Sequence, residues 1–346
     1  MIENIKFLGR IVSNRNHTPL YVIFFVTSRC NMTCKHCFFW KNLNCVSEMT
    51  FDQIKKISES MDNLLFMRLT GGEPFLRKDI PEIVNLFYKN NGLKNLGINT
   101  NGFFTEAILE NVKKILKNNK INLDVCISID DIPNAHDKNR GILGAFSHAI
   151  ATLNALNELK KRYKNFTTTA GMTVFSENQN RLEEIFAEIK KANPTFISVN
   201  LVRGNPKNKD IKHINITKYL NFSKKIAAYN QRKNNFYINT QFKDKLLSKK
   251  VSQTFIEQKY QGIKCVAADK MAVIYSNGEV HPCETLNKKI GDLSEYRYNF
   301  RKLWSSKNRK RLSESLIKNK CFCTHECFLT SSIFLNLRNL INCIGR

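Results

Sequence analysis

The sequence has no apolar stretch long enough to cross a membrane and no convincing export signal. A transmembrane helix needs roughly 18–20 consecutive apolar residues, and no segment of the 346 residues reaches that length. The first apolar run, over 21–26, is short and lacks a cleavage site of small residues. We therefore expect a protein without a membrane span, located in the cytoplasm, where its eleven cysteines stay reduced.

Acidic residues are also scarce. The chain has 29 Asp and Glu against 55 Lys and Arg, which gives a formal net charge of +26. This charge favours anionic partners such as phosphorylated metabolites, phospholipid headgroups or nucleic acids. The basic residues are scattered, however, with only short runs such as 160–162 and 307–311, a pattern that is also typical of an evenly basic surface. Nucleic acid is not an expected partner, because no recognition helix and no stacked aromatic–basic pattern is found.

Three cysteines, Cys30, Cys34 and Cys37, follow the first apolar run within eight residues. Thiolates are the soft ligands that iron–sulfur clusters take, and a cubane cluster with a complete protein set has one cysteine on each of its irons. Three thiolates would leave one iron open to a substrate or cosubstrate. Zinc sites usually combine paired Cys-x2-Cys knuckles, and the odd number of cysteines argues against a set of disulfides. The spacing therefore predicts an iron–sulfur cluster with an open iron.

From residue 21 onward, short apolar runs alternate with segments of helical period. The expected strands are 21–26, 65–69, 93–99, 123–129, 167–174 and 196–201, and the expected helices are 50–61, 80–88, 106–117, 144–162 and 181–192. This alternation indicates an α/β fold in which a parallel sheet curls into a partial (β/α)6 TIM-like barrel. We expect an N-terminal segment over 1–20, the barrel over 21–205, a helical linker over 206–262 with helices near 219–229 and 242–260, and a small C-terminal domain of a β-hairpin and helices over 263–346.

Local side-chain chemistry marks two helix starts and one turn. Thr50 and Asn178 precede expected helices, and each is predicted to cap its helix. Asn277-Gly278 lies between two apolar runs and predicts a β-hairpin. This hairpin would bring Cys265 and Cys283 to the same end of the C-terminal domain.

Polar residues and glycines follow the expected strands at their carboxyl ends. Gly71, Gly72 and Glu73 follow the second strand, Asn99 ends the third, and Ser128 and Asp130 lie at the end of the fourth. In barrels of parallel strands the active site lies at this rim, because the strand-to-helix loops gather there. The cysteine loop belongs to the same rim, so the sequence predicts an active site at this position.

The spacing Cys-x3-Cys-x2-Cys, with the aromatic His36 before Cys37, resembles the signature of the radical S-adenosylmethionine enzymes, and Gly71-Gly72-Glu73 resembles their Gly-Gly-Glu motif. The resemblance implies a 4Fe–4S cluster on Cys30, Cys34 and Cys37, with its open iron chelated by S-adenosylmethionine. It also implies the following contacts to that ligand: Gly71, Gly72 and Glu73 at the methionine ammonium, Arg140 at the methionine carboxylate, Ser128 and Asp130 at the ribose, and His36 near the adenine. Asn99 either contacts the ligand or shapes an Asn-Gly turn.

A second group of cysteines begins at Cys265 and continues with Cys283, Cys321, Cys323 and Cys327. Cys265-x12-Gly278-x4-Cys283 resembles the first half of the SPASM or twitch auxiliary-cluster domain of this family, whereas the second half is one thiolate short. We expect one auxiliary 4Fe–4S cluster on Cys265, Cys283, Cys327 and either Cys321 or Cys323; a structural zinc is the alternative. Cys343 would be a ligand only of a second cluster. We expect His325 to be a plain loop residue, with replacement of the missing thiolate as the alternative. We expect Cys126 to be a core residue, with a role as hydrogen-atom donor as the alternative.

The chemistry implied by the resemblance begins with a reduced cluster that cleaves S-adenosylmethionine. The resulting 5′-deoxyadenosyl radical removes a hydrogen atom from a substrate carbon. Because of the positive charge, our main hypothesis is oxidation or epimerisation of a small anionic metabolite such as a sugar derivative. The alternatives are a maturase of a ribosomally made peptide and a non-catalytic iron–sulfur or zinc-binding regulatory protein. An electron donor such as flavodoxin or ferredoxin is expected, and no catalytic residue can be named from the sequence.

Overall fold

A computed structural model of the protein describes residues 17–44, 47–233 and 252–339. The predictions for Cys343, for most of the N-terminal segment and for the part of the 242–260 helix before residue 252 lie outside these ranges. Residues 252–257 are helical, as predicted. Among the described residues, no helix has both the length and the apolar character needed to cross a bilayer.

The architecture is a sheet of nine strands with helices on its outer face. The strands are β1 (Tyr21–Thr27), β2 (Phe66–Gly71), β3 (Asn95–Thr100), β4 (Asn122–Ser128), β5 (Phe166–Val174), β6 (Phe196–Leu201), β7 (Met271–Ile274), β8 (Glu279–His281) and β9 (Gly291–Asp292). Their order is β6-β5-β4-β3-β2-β1-β7-β8-β9. The first six strands are parallel, and β6 and β9 form the two edges of the described sheet, so the barrel is open. This confirms the predicted α/β fold with a partial barrel.

Ten helices of at least five residues have assigned bounds in the described ranges. They are α1 (Phe51–Glu59), α2 (Ile80–Asn91), α3 (Thr105–Asn118), α4 (Pro133–Arg140), α5 (Ala145–Arg162), α6 (Leu182–Lys191), α7 (Ile216–Lys233), α8 (Phe300–Trp304), α9 (Lys307–Lys318) and α10 (Glu326–Phe334). All five helices expected between the strands are present, with ends shifted by at most three residues. Helix α4 was not predicted.

The C-terminal hairpin is continuous with the barrel sheet. β7 and β8 pair in antiparallel fashion around the predicted Asn277-Gly278 turn, where Gly278 has a φ of +93°. β7 also pairs in parallel with β1, from Tyr21 opposite Met271 to Phe24 opposite Ile274. The hairpin thus extends the sheet, and the division into separate domains stays a prediction.

The buried core lies between the sheet and its helices. On β4, Leu123, Val125 and Ile127 are at most 1% exposed and face the helices. The alternate residues, Asp124 and Ser128 among them, face the inside of the barrel, since successive side chains of a strand point to opposite faces. An ordinary TIM barrel fills its interior with branched apolar side chains. Here the interior is open and carries polar and charged groups beside apolar ones.

One of the two predicted helix caps is present. Thr50 and Gln53 form a capping box at the start of α1, in which each side chain bonds the backbone of the other residue. The prediction for Asn178 is wrong, because α6 begins after Arg181 and has no side-chain cap. Asn178 instead joins the carboxyl ends of β4 and β5: its Nδ2 donates to the backbone oxygens of Asp130 (2.7 Å) and Thr173 (2.8 Å).

We predict that Asn178→Ala destabilises the fold strongly. The side chain is fully buried. Its loss leaves the backbone oxygens of Asp130 and Thr173 and the backbone N–H of Phe175 without their hydrogen-bond partner, at a cost of about 2–4 kcal/mol. Urea unfolding followed by circular dichroism measures this change. Asn180→Ala, the same substitution at an exposed position two residues away, is the control and should change the unfolding free energy by less than about 0.5 kcal/mol. Equal effects of the two variants would contradict the bridging role.

Candidate active site

The cysteine loop follows β1 and faces the inside of the barrel. Cys30, Cys34 and Cys37 are each partly exposed, and all three line the main cavity. The loop backbone is held from the side by α4. Thr33 N donates to the carbonyl oxygen of Arg140, and Lys35 N donates to that of Asn139, each at 3.1 Å. Helix α4 therefore fixes where the three thiols lie.

The thiol groups of this loop suit an iron–sulfur cluster. Burial raises the pKa of Cys30 to about 11 and that of Cys37 to about 12, so a bound cation is needed to hold them as thiolates at neutral pH. Two donors already point at sulfur: Met32 N lies 3.4 Å from Cys30 Sγ, and Arg140 Nη1 lies 3.6 Å from Cys34 Sγ. Among the described residues, no three Cys, His, Asp or Glu side chains already lie close enough together to hold a metal ion. The inference that these three thiols suit a cluster therefore rests on their chemistry as sulfur ligands and on their position along one cavity wall.

The glycine turn after β2 packs against the start of the cysteine loop. Gly72 N donates to the carbonyl oxygen of Thr27 at 2.9 Å, and Glu73 N donates to that of Arg29 at 2.7 Å. A Cβ atom on Gly71 would lie 2.2 Å from Thr27 O, and one on Gly72 would lie 2.1 Å from Arg29 O. Only glycine allows this approach. Both glycines line the cavity beside the thiols.

Glu73, unlike the glycines, turns away from the cavity. Its carboxylate is 1% exposed and accepts hydrogen bonds from Thr100 Oγ1 (2.8 Å), Asn101 N (2.7 Å) and Phe75 N (3.2 Å). Burial raises the pKa of Glu73 to about 7, against the lowering effect of these donors. Asn101 in turn donates to Asn31 Oδ1 at 2.8 Å. The side chain of Glu73 thus ties the ends of β2 and β3 to each other.

Asp130 and Arg140 form a buried ion pair behind the cysteine loop. Asp130 is 1% exposed, and its Oδ1 accepts a hydrogen bond from Thr173 N at 2.9 Å. Burial alone would raise the pKa of Asp130, but the Arg140 guanidinium holds it below its usual value. Ser128 and Arg140 line the cavity, whereas the Asp130 carboxylate does not. The predicted contact of Asp130 with a ribose stays a prediction.

His36 lies between this ion pair and the cavity. Its ring stacks on Phe175 with centroids 5.3 Å apart and an interplanar angle of 14°. Nδ1 lies 3.1 Å from Asn139 Nδ2, and Nε2 lies 3.7 Å from Asp130 Oδ2. Burial lowers the pKa of His36 and favours the neutral ring. The ring is therefore fixed as a flat cavity wall, which suits the predicted place beside an adenine.

Sequence reasoning missed the charged residues of the barrel interior. Arg68 Nη1 donates to Asn99 Oδ1 at 2.8 Å, and the guanidinium lies 4.0 Å from the Asp124 carboxylate. Room for this guanidinium comes from Gly97, where a Cβ atom would lie 2.6 Å from Arg68 Cζ. The signal in the sequence was the alternation on β4, where the polar Asp124 and Ser128 alternate with the apolar Leu123, Val125 and Ile127. Asn99 lines the cavity, and its side chain accepts a hydrogen bond from Arg68; its contact with the ligand stays a prediction.

Cys126 belongs to the same interior wall. The prediction of a core position is wrong, because Cys126 is partly exposed and lines the cavity. It lies next to Gly171, where a Cβ atom would be 2.7 Å from its sulfur. The strand pattern explains the error: the apolar neighbours Val125 and Ile127 face the helices, and the residue between them faces inward.

The second cysteine group lies around the ends of the hairpin and α10. Cys265, Cys321 and Cys323 line one small recess of about 20 Å³. The Cys265 and Cys321 side chains are hydrogen-bonded, and this contact lowers the pKa of Cys321 to about 7. Cys283 and Cys327 act electrostatically on Cys323, so all five predicted ligands belong to one neighbourhood. Cys327 differs in that it lines the main cavity.

A buried polar cluster joins this neighbourhood to the barrel. Glu284 bonds to His325 Nε2 and lies 3.4 Å from Arg203 Nη2. His325 is 2% exposed, so its description as a plain loop residue is wrong. Burial would raise the pKa of Cys327, but the hydrogen bond from His325 lowers it to about 7. Sequence reasoning missed Arg203 and Glu284, which are distant in sequence and meet only in the fold.

The main cavity has a volume of about 1360 Å³ and reaches from the cysteine loop to α10. Small-molecule pockets usually measure roughly 300–1,000 Å³. Its charged lining residues are Arg68, Asp124, Arg140, Arg203, Lys224, Glu284 and Glu326. The cavity therefore offers both positive and negative groups over a long distance.

Comparison with known protein families identifies the class. Residues 24–189 match the radical SAM superfamily, and residues 265–328 match SPASM, an iron–sulfur cluster-binding domain. The chain belongs to the radical SAM superfamily and has a C-terminal SPASM domain. Its cofactors are a 4Fe–4S cluster, S-adenosylmethionine and an auxiliary iron–sulfur centre.

Three relatives are similar over most of the chain. The antilisterial bacteriocin subtilosin biosynthesis protein AlbA of Bacillus subtilis is 26% identical over 321 residues, which are 89% of this chain and 66% of AlbA, just under two thirds of its length. The solved structure of anSMEcpe with bound AdoMet and Cp18Cys peptide has a TM-score of 0.60 at 19% identity and covers 92% of this chain and 88% of that chain. Streptococcus suis SuiB bound to precursor peptide SuiA has a TM-score of 0.57 at 15% identity, over 90% and 73% of the two chains. The two structures establish the fold alone.

We predict that Gly72→Ala abolishes productive ligand binding. The added methyl group would push the glycine turn away from the cysteine loop, and a displacement of about 1 Å near reacting groups can cost about 100-fold in rate. Formation of 5′-deoxyadenosine, measured by chromatography, should fall by at least about that factor. Gly92→Ala is the control: it has a φ of +55° and no atom closer than 3.4 Å to the added carbon. It should cost about 1 kcal/mol of stability and leave cleavage intact; cleavage lost in both variants would refute the role of the turn.

Proposed function

We propose that this radical SAM enzyme modifies a peptide. The observation that carries the proposal is the cavity: its volume of about 1360 Å³ and its mixed charges suit an extended chain with several side chains better than a single small anion. Two of the similar structures are complexes with a bound peptide, and AlbA is named for the biosynthesis of a bacteriocin. These findings support the second of our sequence hypotheses over the small anionic metabolite.

We assign cofactor-binding roles from the positions of the residues along this cavity. We propose that Cys30, Cys34 and Cys37 hold the cluster that binds S-adenosylmethionine. The residues that we place around S-adenosylmethionine are His36, Gly71, Gly72, Asn99, Ser128 and Arg140. Glu73 and Asp130 position this wall, because their carboxylates are occupied by protein donors. The auxiliary cluster is assigned to the second cysteine group, Cys265, Cys283, Cys321, Cys323 and Cys327.

When bound, the reduced cluster and S-adenosylmethionine supply the 5′-deoxyadenosyl radical that removes a hydrogen atom from the substrate. The chain itself must orient the peptide and keep water from the reacting carbon. Arg68 can bind an acidic group of the peptide, since its guanidinium is held in the interior by Asn99 and Asp124. The apolar wall residues Ile23 and Phe25 limit water near the cysteine loop. The cytoplasmic location and the electron donor stay predictions.

Removal of the three loop thiols should distinguish the cluster on the cysteine loop from the auxiliary cluster. We predict that the triple variant Cys30→Ala, Cys34→Ala, Cys37→Ala contains about four fewer irons per chain and forms no 5′-deoxyadenosine with dithionite. Iron analysis and electron paramagnetic resonance measure the loss and the remaining auxiliary signal. Cys126→Ala makes the same chemical change on the cavity wall and should keep the full iron content. A triple variant with unchanged iron would contradict the assignment of these ligands.

Isotope transfer tests the substrate class. Reconstituted enzyme, dithionite and S-adenosylmethionine are combined either with deuterated synthetic peptides, taken from short reading frames beside the gene, or with deuterated sugar phosphates and nucleotide sugars. We expect deuterium in 5′-deoxyadenosine, and a change in product mass, with a peptide only. Transfer from a sugar derivative and from no peptide would overturn the proposal in favour of the small-metabolite hypothesis.

A variant that fills part of the cavity, compared with a matched surface variant, gives a second test of the substrate class. Ser198 is an inward-facing residue of β6, and a phenylalanine there would occupy part of the cavity. We expect Ser198→Phe to lower peptide-dependent turnover by at least about tenfold, while background cleavage of S-adenosylmethionine persists. Ser147→Phe, on the exposed face of α5, is the matched control and should keep both activities.

A further inference from the structure

One arginine of the cavity wall is attached to the cysteine loop at two points. Arg140 is the last residue of α4, and its carbonyl oxygen accepts a hydrogen bond from Thr33 N at 3.1 Å. Its guanidinium lies against the same loop, with Nη1 3.6 Å from Cys34 Sγ. Arg140 is 6% exposed and lines the main cavity. A full positive charge is therefore fixed beside one of the three predicted ligands of the cluster.

The carboxylate of Asp130 sets the direction of this guanidinium. Asp130 Oδ2 accepts a hydrogen bond from Arg140 Nη2, and Asp130 Oδ1 accepts one from Thr173 N at 2.9 Å. Arg140 Nε is buried and has no hydrogen-bond acceptor among the described residues. The guanidinium can therefore donate from Nε to a bound group while Nη1 stays beside the sulfur of Cys34.

A neighbouring ion pair offers a direct comparison. Asp131, the next residue in the sequence, is 2% exposed and accepts hydrogen bonds from Arg181 on both carboxylate oxygens, at 3.0 and 2.6 Å. Neither Asp131 nor Arg181 lines the main cavity. Of the two adjacent carboxylate–arginine pairs, the one formed by Asp130 and Arg140 is thus the pair that contacts a predicted cluster ligand.

We propose that Arg140 and Asp130 together set the reduction potential of the cluster on the cysteine loop, Arg140 raising it and Asp130 lowering it. On reduction the cluster takes up one electron from an external donor, and no bond breaks and no proton moves. The added negative charge is stabilised by the N–H group and the positive charge beside Cys34, because hydrogen bonds to the sulfurs and net charge both set cluster potentials. The carboxylate opposes it, and buried charges are little screened.

This role differs from the contact of Arg140 with the methionine carboxylate that the family resemblance implies. It acts on the cluster itself and needs no bound S-adenosylmethionine. The inference goes beyond the proposed peptide chemistry and uses the assignment of Cys34 as a cluster ligand made above.

The test is a redox titration of the anaerobically reconstituted full chain without S-adenosylmethionine, followed by electron paramagnetic resonance. The Cys30→Ala, Cys34→Ala, Cys37→Ala variant identifies the auxiliary signal. In Arg140→Gln we expect the ratio of reduced to oxidised loop cluster at a fixed potential to fall about tenfold, a shift of about 59 mV for one electron. In Asp130→Asn we expect this ratio to rise about tenfold, because the opposing charge is lost.

Three control variants separate local charge from damage to the loop. Arg181→Gln removes the same charge from the neighbouring pair and should change the ratio by less than about twofold. Arg140→Lys keeps the charge and should stay within about threefold of the wild type. The double variant Arg140→Gln, Asp130→Asn loses both charges, so its opposing shifts should cancel to within about threefold. The auxiliary signal should titrate equally in all variants.

An unchanged ratio in both Arg140→Gln and Asp130→Asn would overturn the proposal, and so would shifts of the same sign or an equal shift in Arg181→Gln. If iron analysis finds no loop cluster in one of the two charge variants, the sign of the shift in the other decides. A normal ratio in Arg140→Gln with weaker binding of S-adenosylmethionine would assign Arg140 to that ligand alone and also overturn the proposal. Since the titration contains no peptide, its failure is distinct from failure of the isotope-transfer test of the proposed function.

Discussion

The parallel pairing of β1 on both of its edges is the constraint on which the rest of the structure depends. β1 bonds to β2 on one side and to β7 on the other. Its carboxyl end leads into the cysteine loop, and the hairpin that starts with β7 ends at Cys283. The pairing therefore places the cysteine loop and the hairpin end at Cys283 on one sheet. Val22, Phe24 and Val26 are fully buried, so β1 cannot shift without exposing apolar surface.

Buried polar groups do most of the positioning at the rim of the barrel. Glu73 joins the ends of β2 and β3, Asp130 holds Arg140 near Cys34, and Asn178 joins the ends of β4 and β5. A buried carboxylate is costly unless it is paired or hydrogen-bonded, and both carboxylates here are. Next to the cysteine loop, thiols, glycine backbone and Arg140 face the cavity. The Glu73 and Asp130 carboxylates lie behind this part of the wall and support it.

Much of the fold could be predicted from the sequence, because its elements follow simple periods. Every barrel strand and every helix expected between strands was found, since apolar runs and helical faces are local signals. Helix α4 was missed because its buried residues, His136, Asn139 and Arg140, are polar and give no apolar period. The pairing of β7 with β1 was missed for another reason: it joins segments about 250 residues apart in the sequence, and nothing local records it.

In the candidate site, too, residues with a local sequence signal could be predicted, and residues that meet only after folding could not. The cysteines and glycines were predictable because their chemistry is rare and their spacing is short. The Arg203–Glu284–His325 cluster could not be found, because ordinary charged residues from three separate segments meet only after folding. Asn178 and Cys126 were placed wrongly for a related reason. A polar side chain beside a helix start, or a cysteine in an apolar strand, has a local explanation that the tertiary structure overrides.

The open interior of the barrel has a consequence for evolution. The free energy of folding comes mainly from the core between the sheet and its helices, whereas inward residues of β4–β6 line the open cavity. Substitutions at these inward positions therefore cost little stability compared with substitutions in the core. A lineage built on this scaffold can acquire new substrates by exchanging interior residues one at a time, without losing either the sheet or the cysteine loop.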